Sequence, residues 1–170
     1  RGRRGDCAGS GLGFLRADHS SRRRRDGEGK LDWRQDYRIT PEALEAACTD
    51  KTRLLIINYP NNPTGRILHE DEADILEKFL LAHPQVYLLS DEVYEKSYLT
   101  GKECQHGART SVRDRVITMN GFSKCVAMTG WRMGYLAAPK AVFDVAYKLY
   151  QHSLSCMSGF LQVGAVEAFH

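Results

Sequence analysis

The chain reads as an α/β protein with a central, mostly parallel sheet and flanking helices, and three observations carry that reading. Nearly continuous apolar runs at residues 53–58, 86–89 and 115–119 have the character of strands covered on both faces. Between the first two, Ala73, Ile75, Leu76, Phe79 and Leu80 recur at helical spacing, so strand and helix alternate as in a layered sheet. Each run ends in polar or turn-forming residues, which puts Asn62, Asp91 and Lys124 beyond the carboxyl ends of strands, where sheets of this kind bind ligands.

Taken in order, residues 1–30 are expected to form a basic, irregular arm. They hold nine Lys/Arg against four Asp/Glu, seven of the fifteen glycines, and the run Arg22-Arg23-Arg24-Arg25. The other 140 residues hold fifteen basic against seventeen acidic side chains, so the net charge of +3 belongs to one end. Clustered arginines can contact nucleic-acid phosphates. Here no aromatic interleaving, zinc spacing or recognition helix accompanies them, and a solvated arm is the preferred reading. Gly9, Gly11 and Gly13 lack the preceding strand and following helix that a phosphate-cradling turn needs.

Residues 31–37 read as loop. Thr40-Pro41-Glu42-Ala43 is a helix start, with a capping hydroxyl and a first-turn proline, opening a helix to about Cys48. The first strand, 53–58, runs into Tyr59-Pro60-Asn61-Asn62-Pro63-Thr64-Gly65, a turn stiffened by two prolines. A helix is predicted over 70–82, the second strand over 86–89, a polar loop over 97–112 and the third strand over 115–119. A fourth strand is predicted over 133–138, a helix from Pro139 to about His152, and another over 158–169. No apolar run is long enough to cross a membrane, and no cleavable leader is visible. Five cysteines, Cys7, Cys48, Cys104, Cys125 and Cys156, are scattered, odd in number and without metal-ligand spacing, so reduced thiols, no metal site and a cytoplasmic location are expected.

Lys124 sits among small residues just past the third strand, where burial would lower the cost of a neutral amine and free it as a nucleophile. Arg132, eight residues later, offers a planar fork for a phosphate or carboxylate. Taken singly, Asp91 also reads as a helix cap, Tyr94 as a core aromatic and Asn62 as a turn former.

Three blocks change that balance: Asn58-Tyr59-Pro60-Asn61-Asn62-Pro63-Thr64-Gly65, Ser90-Asp91-Glu92-Val93-Tyr94, and Phe122-Ser123-Lys124 followed by Thr129-Gly130-Trp131-Arg132-Met133-Gly134-Tyr135. In this order they resemble the class I/II aminotransferases, pyridoxal 5'-phosphate (PLP) enzymes of fold type I, of the aspartate aminotransferase kind. The resemblance covers about residues 31–170. It implies that this stretch is part of a PLP-binding large domain, truncated at both ends relative to the family. It also implies PLP as cofactor, amino-group transfer from an amino acid to a 2-oxo acid, and a homodimer at full length. Carried over by position, Lys124 resembles the lysine of the internal aldimine and Asp91 the carboxylate facing the pyridine nitrogen. Asn62 and Tyr94 resemble the pair bonding the 3'-oxygen, and Arg132 the arginine on the phosphate. Lys124, Asp91 and Tyr94 are therefore the expected catalytic residues, with Ser123 added to the cofactor-binding set. Gly121 stands where the family often has a serine. The same motifs serve PLP lyases and synthases, and a non-catalytic domain could retain the fold, so both remain alternatives.

Overall fold

The computed structural model describes residues 12–16, 25–28, 31–97, 107–109 and 111–168. Among the described residues six strands form one sheet in the order β2-β1-β3-β4-β5-β6. These are β1 (Leu12–Arg16), β2 (Arg25–Glu28), β3 (Thr52–Asn58), β4 (Tyr87–Asp91), β5 (Val116–Gly121) and β6 (Gly134–Ala137). The expected α/β fold is present. Its parallel part is the β3-β4-β5 centre, with Asn58 opposite Asp91 and Asp91 opposite Met119. The flanking pairs β1–β2, β1–β3 and β5–β6 are antiparallel, which makes the sheet mixed. Apolar periodicity reports a strand's burial and not its direction, so the reversal at β6 had no signal in the sequence.

Two strands lie within the stretch expected to be irregular. β1 runs antiparallel along β3, from Leu12 opposite Ile57 to Arg16 opposite Thr52, and β2 pairs with β1. Pairing gives the backbone groups along that side of β3 their partners, and this outweighs the poor local propensity of a Gly/Arg-rich sequence. Arg22, Arg23, Arg24, Gly9 and Gly11 lie outside the described residues, as does most of the predicted 97–112 loop. Residues 31–37 contain a 3₁₀ turn, Trp33–Gln35, opened by Asp32, whose carboxylate accepts from the Arg34 N–H at 2.9 Å.

The helices follow the sequence closely. α1 (Pro41–Ala47) is capped by Thr40, whose hydroxyl accepts from the Ala43 N–H at 3.2 Å. α2 (Glu70–Ala82) has three acidic residues in its first turn, where the helix dipole favours them. Its Leu76 and Leu80 pack with Leu55 and Ile57 of β3, Leu88 of β4 and Leu44 of α1 into the main core, all essentially inaccessible. Each such side chain contributes roughly 1.5–3 kcal/mol of transfer free energy. α3 (Phe122–Cys125) is a single turn that periodicity could not detect. α4 (Lys140–Leu154) and α5 (Gly159–Glu167) complete the chain. A smaller core joins Phe122, Met133 and Ala165. α4 has no buried residue, and Leu149, Leu154 and Phe160 are 65, 67 and 75 % exposed.

One buried ion pair ties the turn after β3 to α2. Arg66 meets Glu72 through two parallel hydrogen bonds of 2.8 and 3.0 Å, with side-chain exposures of 6 and 0 %. The Glu72 carboxylate also accepts the Ile39 N–H at 2.8 Å, and Arg66 Nε donates to Asp36 at 3.2 Å. Burial alone would pull the Arg66 pKa down, but the bonds to Glu72 and Asp36 raise it overall, so the guanidinium stays charged. Replacing Arg66 with Met strands a buried carboxylate and should cost about 3–5 kcal/mol. Arg38→Met, at the exposed pair with Asp71, should cost about 0–1 kcal/mol. Urea unfolding midpoints check the contrast, and equal losses would contradict it.

Candidate active site

The carboxyl ends of β3, β4 and β5 lie side by side because the parallel register aligns Asn58, Asp91 and Met119 in a row. The chain leaves β3 through the turn that carries Asn62, and this turn is closed from within. Asn61 N–H donates to the Arg66 carbonyl at 2.7 Å and Gly65 N–H to the Asn61 carbonyl at 2.8 Å. The Thr64 hydroxyl donates to Asn61 Oδ1 at 2.7 Å, and Asn62 N–H to Asn58 Oδ1 at 3.1 Å. Gly65 has φ +73, in the left-handed region that favours glycine. The peptide bonds preceding Pro60 and Pro63 are both cis.

Asn62 and Tyr94, which lie in separate motifs of the sequence, meet here. Asn62 Nδ2 donates to the Tyr94 hydroxyl oxygen at 2.9 Å. That oxygen now accepts, so the phenol hydrogen can donate outward, and Asn62 keeps a second N–H. Lys124 Nζ lies 5.5 Å from the centre of the Tyr94 ring, within reach of a cation–π contact. Lys124 itself is exposed, contrary to the burial expected for it. The reason is local: Phe122 turns inward from the single turn of α3, and a residue two places on lies about 200° around the helix. The amine stands over the Tyr94 ring instead.

A second group adjoins the first. Asp91, Ser123 and Arg132 line one cleft of about 280 Å³, floored by the ends of β5 and β6. Burial pushes the Asp91 carboxyl above its ordinary value of 3.8. The Val93 N–H, donating to it at 3.2 Å, opposes the rise and the neighbouring Glu92 charge adds to it. Arg132 has φ 54, an uncommon conformation for a side-chain-bearing residue, and its guanidinium donates to the Thr129 carbonyl at 3.1 Å. A Cβ on Gly134 would come within 2.8 Å of the Asn120 carbonyl oxygen, and one on Gly121 within 3.1 Å of that of Met133. Glycine at 121 therefore suits this closely packed pair of strands.

Other contributors had no distinctive signal in the sequence. Asn58 braces two of the elements, accepting from the Asn62 N–H and donating from Nδ2 to the Asp91 carbonyl at 3.3 Å. Glu92 is buried behind Asp91, where it accepts from the Ser90 hydroxyl at 2.7 Å and from the Gly107 N–H at 3.2 Å. Among the described residues no group of His, Cys, Asp and Glu is placed to hold a metal, and no helix is long and apolar enough to cross a membrane.

Comparison with known proteins agrees with these motifs. The pattern of the family described as "Aminotransferase class I and II" matches residues 27–170. The chain is similar to an aspartate aminotransferase of Musicola paradisiaca, 45% identical over 133 residues, covering 78% of this chain and 33% of the relative. It is also similar to aromatic-amino-acid aminotransferase 2 of Thermococcus litoralis, at 41% identity over 78% of this chain and 34% of the relative. Among solved structures it resembles the aspartate aminotransferase of Rhizobium meliloti, with TM-score 0.78 and 36% identity over 81% of this chain and 35% of that one. The chain thus spans about a third of the length of the curated relatives it matches.

The raised Asp91 pKa has a stability consequence. A carboxyl harder to ionise folded than unfolded favours the fold below its ordinary pKa and loses that contribution as pH rises through the folded value. Asp91→Asn, which keeps an acceptor for the Val93 N–H, should therefore gain in urea midpoint relative to the parent as pH rises from about 4 to about 7. A constant difference across that range would contradict the shift.

Proposed function

Because this chain belongs to the class I and II aminotransferase family, we propose that it supplies the cofactor-binding part of a PLP-dependent aminotransferase moving an amino group from an amino acid to a 2-oxo acid. The observation that carries the reading is the Asn62–Tyr94 hydrogen bond under the Lys124 amine, beside the cleft lined by Asp91 and Arg132. The donor set fits a flat, phosphorylated pyridine aldehyde. It provides a carboxylate for a ring nitrogen, two donors for a phenolic oxygen, a guanidinium and a hydroxyl for a phosphate, and an amine for the aldehyde.

When bound, PLP supplies an electron sink for the pair left at the substrate Cα. The chain's residues do the rest. Asp91 holds a proton on the ring nitrogen through its carboxylate, and the partly buried setting that resists an isolated charge favours one paired with a cation. Asn62 Nδ2 and the Tyr94 hydroxyl donate to the 3'-oxygen and stabilise its negative charge. Arg132 and Ser123 anchor the phosphate. Lys124 Nζ would hold the aldehyde carbon in the resting enzyme and, when free, would take the proton from the substrate Cα and deliver it to the carbon that had been the aldehyde. The exposed apolar faces of α4 and α5 support a whole protein in which they are covered, by the remainder of its fold and by a second copy.

Borohydride reduction in the presence of PLP, followed by peptide mapping, tests the assignment. The label is expected on Lys124 in the parent and lost from that peptide in Lys124→Ala, with far-UV circular dichroism unchanged. Labelling spread over surface lysines, equal in parent and variant, would contradict it.

A further inference from the structure

A second cluster of reactive groups lies away from this site, where the carboxyl ends of α1 and α2 meet. Cys48 Sγ is 3.8 Å from His83 Nδ1, and His83 Nε2 is 3.0 and 3.1 Å from the two carboxylate oxygens of Glu45. An ionised carboxylate only accepts, so the bond to Glu45 assigns the hydrogen to Nε2 and leaves the Nδ1 lone pair facing the thiol. The ring is held in that orientation. Its centroid is 4.5 Å from that of Phe79, which is buried in the main core, and the His83 backbone N–H donates to the Phe79 carbonyl at the end of α2. A thiol, a base and a carboxylate orienting the base are the order of parts that activates a cysteine.

The Thr49 carbonyl, also at 3.8 Å, is a competing acceptor for the thiol. The two ring nitrogens face different partners, so the three side chains cannot converge on one metal ion. Cys48 is half-buried, and the His83 and Glu45 side chains are 23 and 56 % exposed, so a small reagent can reach the group from solvent.

We propose that Cys48 is a modification site, activated by His83 and Glu45, for low-molecular-weight disulfides. The thiol proton passes to His83 Nδ1 and Cys48 Sγ attacks one sulfur of the disulfide. A protein–small-thiol mixed disulfide forms, the original S–S bond breaks, and the departing thiolate takes the proton from His83. One thiol and one disulfide give one mixed disulfide and one thiol, with no net change in redox state. The site is independent of the PLP residues.

The test is the rate of reaction of each cysteine in the full chain with an aromatic disulfide reagent, followed by mass mapping, with Cys156 as the internal reference because it is more exposed. Cys48 is expected to react at least about tenfold faster than Cys156 despite its lower exposure. His83→Phe should remove that advantage, and Glu45→Gln, a surface change that leaves the core intact, should reduce it severalfold. A Cys48 rate at or below that of Cys156, or the same ratio in Glu45→Gln and parent, would overturn the proposal.

Discussion

The buried pair of Arg66 and Glu72 is the constraint on which the rest of the site depends. The carboxylate binds two guanidinium nitrogens and the Ile39 N–H, while the Arg66 backbone carbonyl closes the turn that carries Asn62. One ion pair therefore joins the segment before α1, the turn after β3 and the first turn of α2. A buried pair of this kind contributes little net stability compared with apolar residues of the same size, because both ions lose water. What it supplies is position: it fixes the height of Asn62 above the strand ends, and so whether its amide reaches Tyr94.

From that fixed turn the geometry follows the sheet. The parallel register sets Asn58 beside Asp91 and Asp91 beside Met119, and Asn58 then ties the turn to β4 through the Asp91 carbonyl. The Asn62–Tyr94–Lys124 group and the Asp91–Ser123–Arg132 cleft meet along the segment from Asp91 to Tyr94, so the two halves of the site share a backbone. The close approach of β5 and β6 at Gly121 and Gly134 forms the floor. The energetic tension falls on Asp91, which burial disfavours as an anion and which a bound cation would relieve.

Much of this was legible in the sequence, for physical reasons. The central strands are buried on both faces and read as apolar runs, and α2 has an amphipathic stripe long enough to give its bounds at Glu70 and Ala82. Turn chemistry between Tyr59 and Gly65 placed Asn62 at a strand end. Other features left no trace. Four residues of α3 are too few to show a period, so Lys124 was expected to be buried and is exposed. Arg66 and Glu72 look like any charges beside a helix start, because partner choice over six residues is made by the fold. The antiparallel strands β1 and β2 owe their existence to the edge of β3, which a local reading of a Gly/Arg-rich segment does not contain.

The central claim is that residues from three strand ends form one cofactor site, and its most direct test is a crystal structure of the chain grown with PLP. The expected result is density joined to Lys124 Nζ, with the ring nitrogen against the Asp91 carboxylate, the 3'-oxygen between Asn62 and Tyr94, and the phosphate on Arg132 and Ser123. An ordered PLP bound elsewhere, with Lys124 free and the Asn62–Tyr94 hydrogen bond undisturbed, would contradict the account.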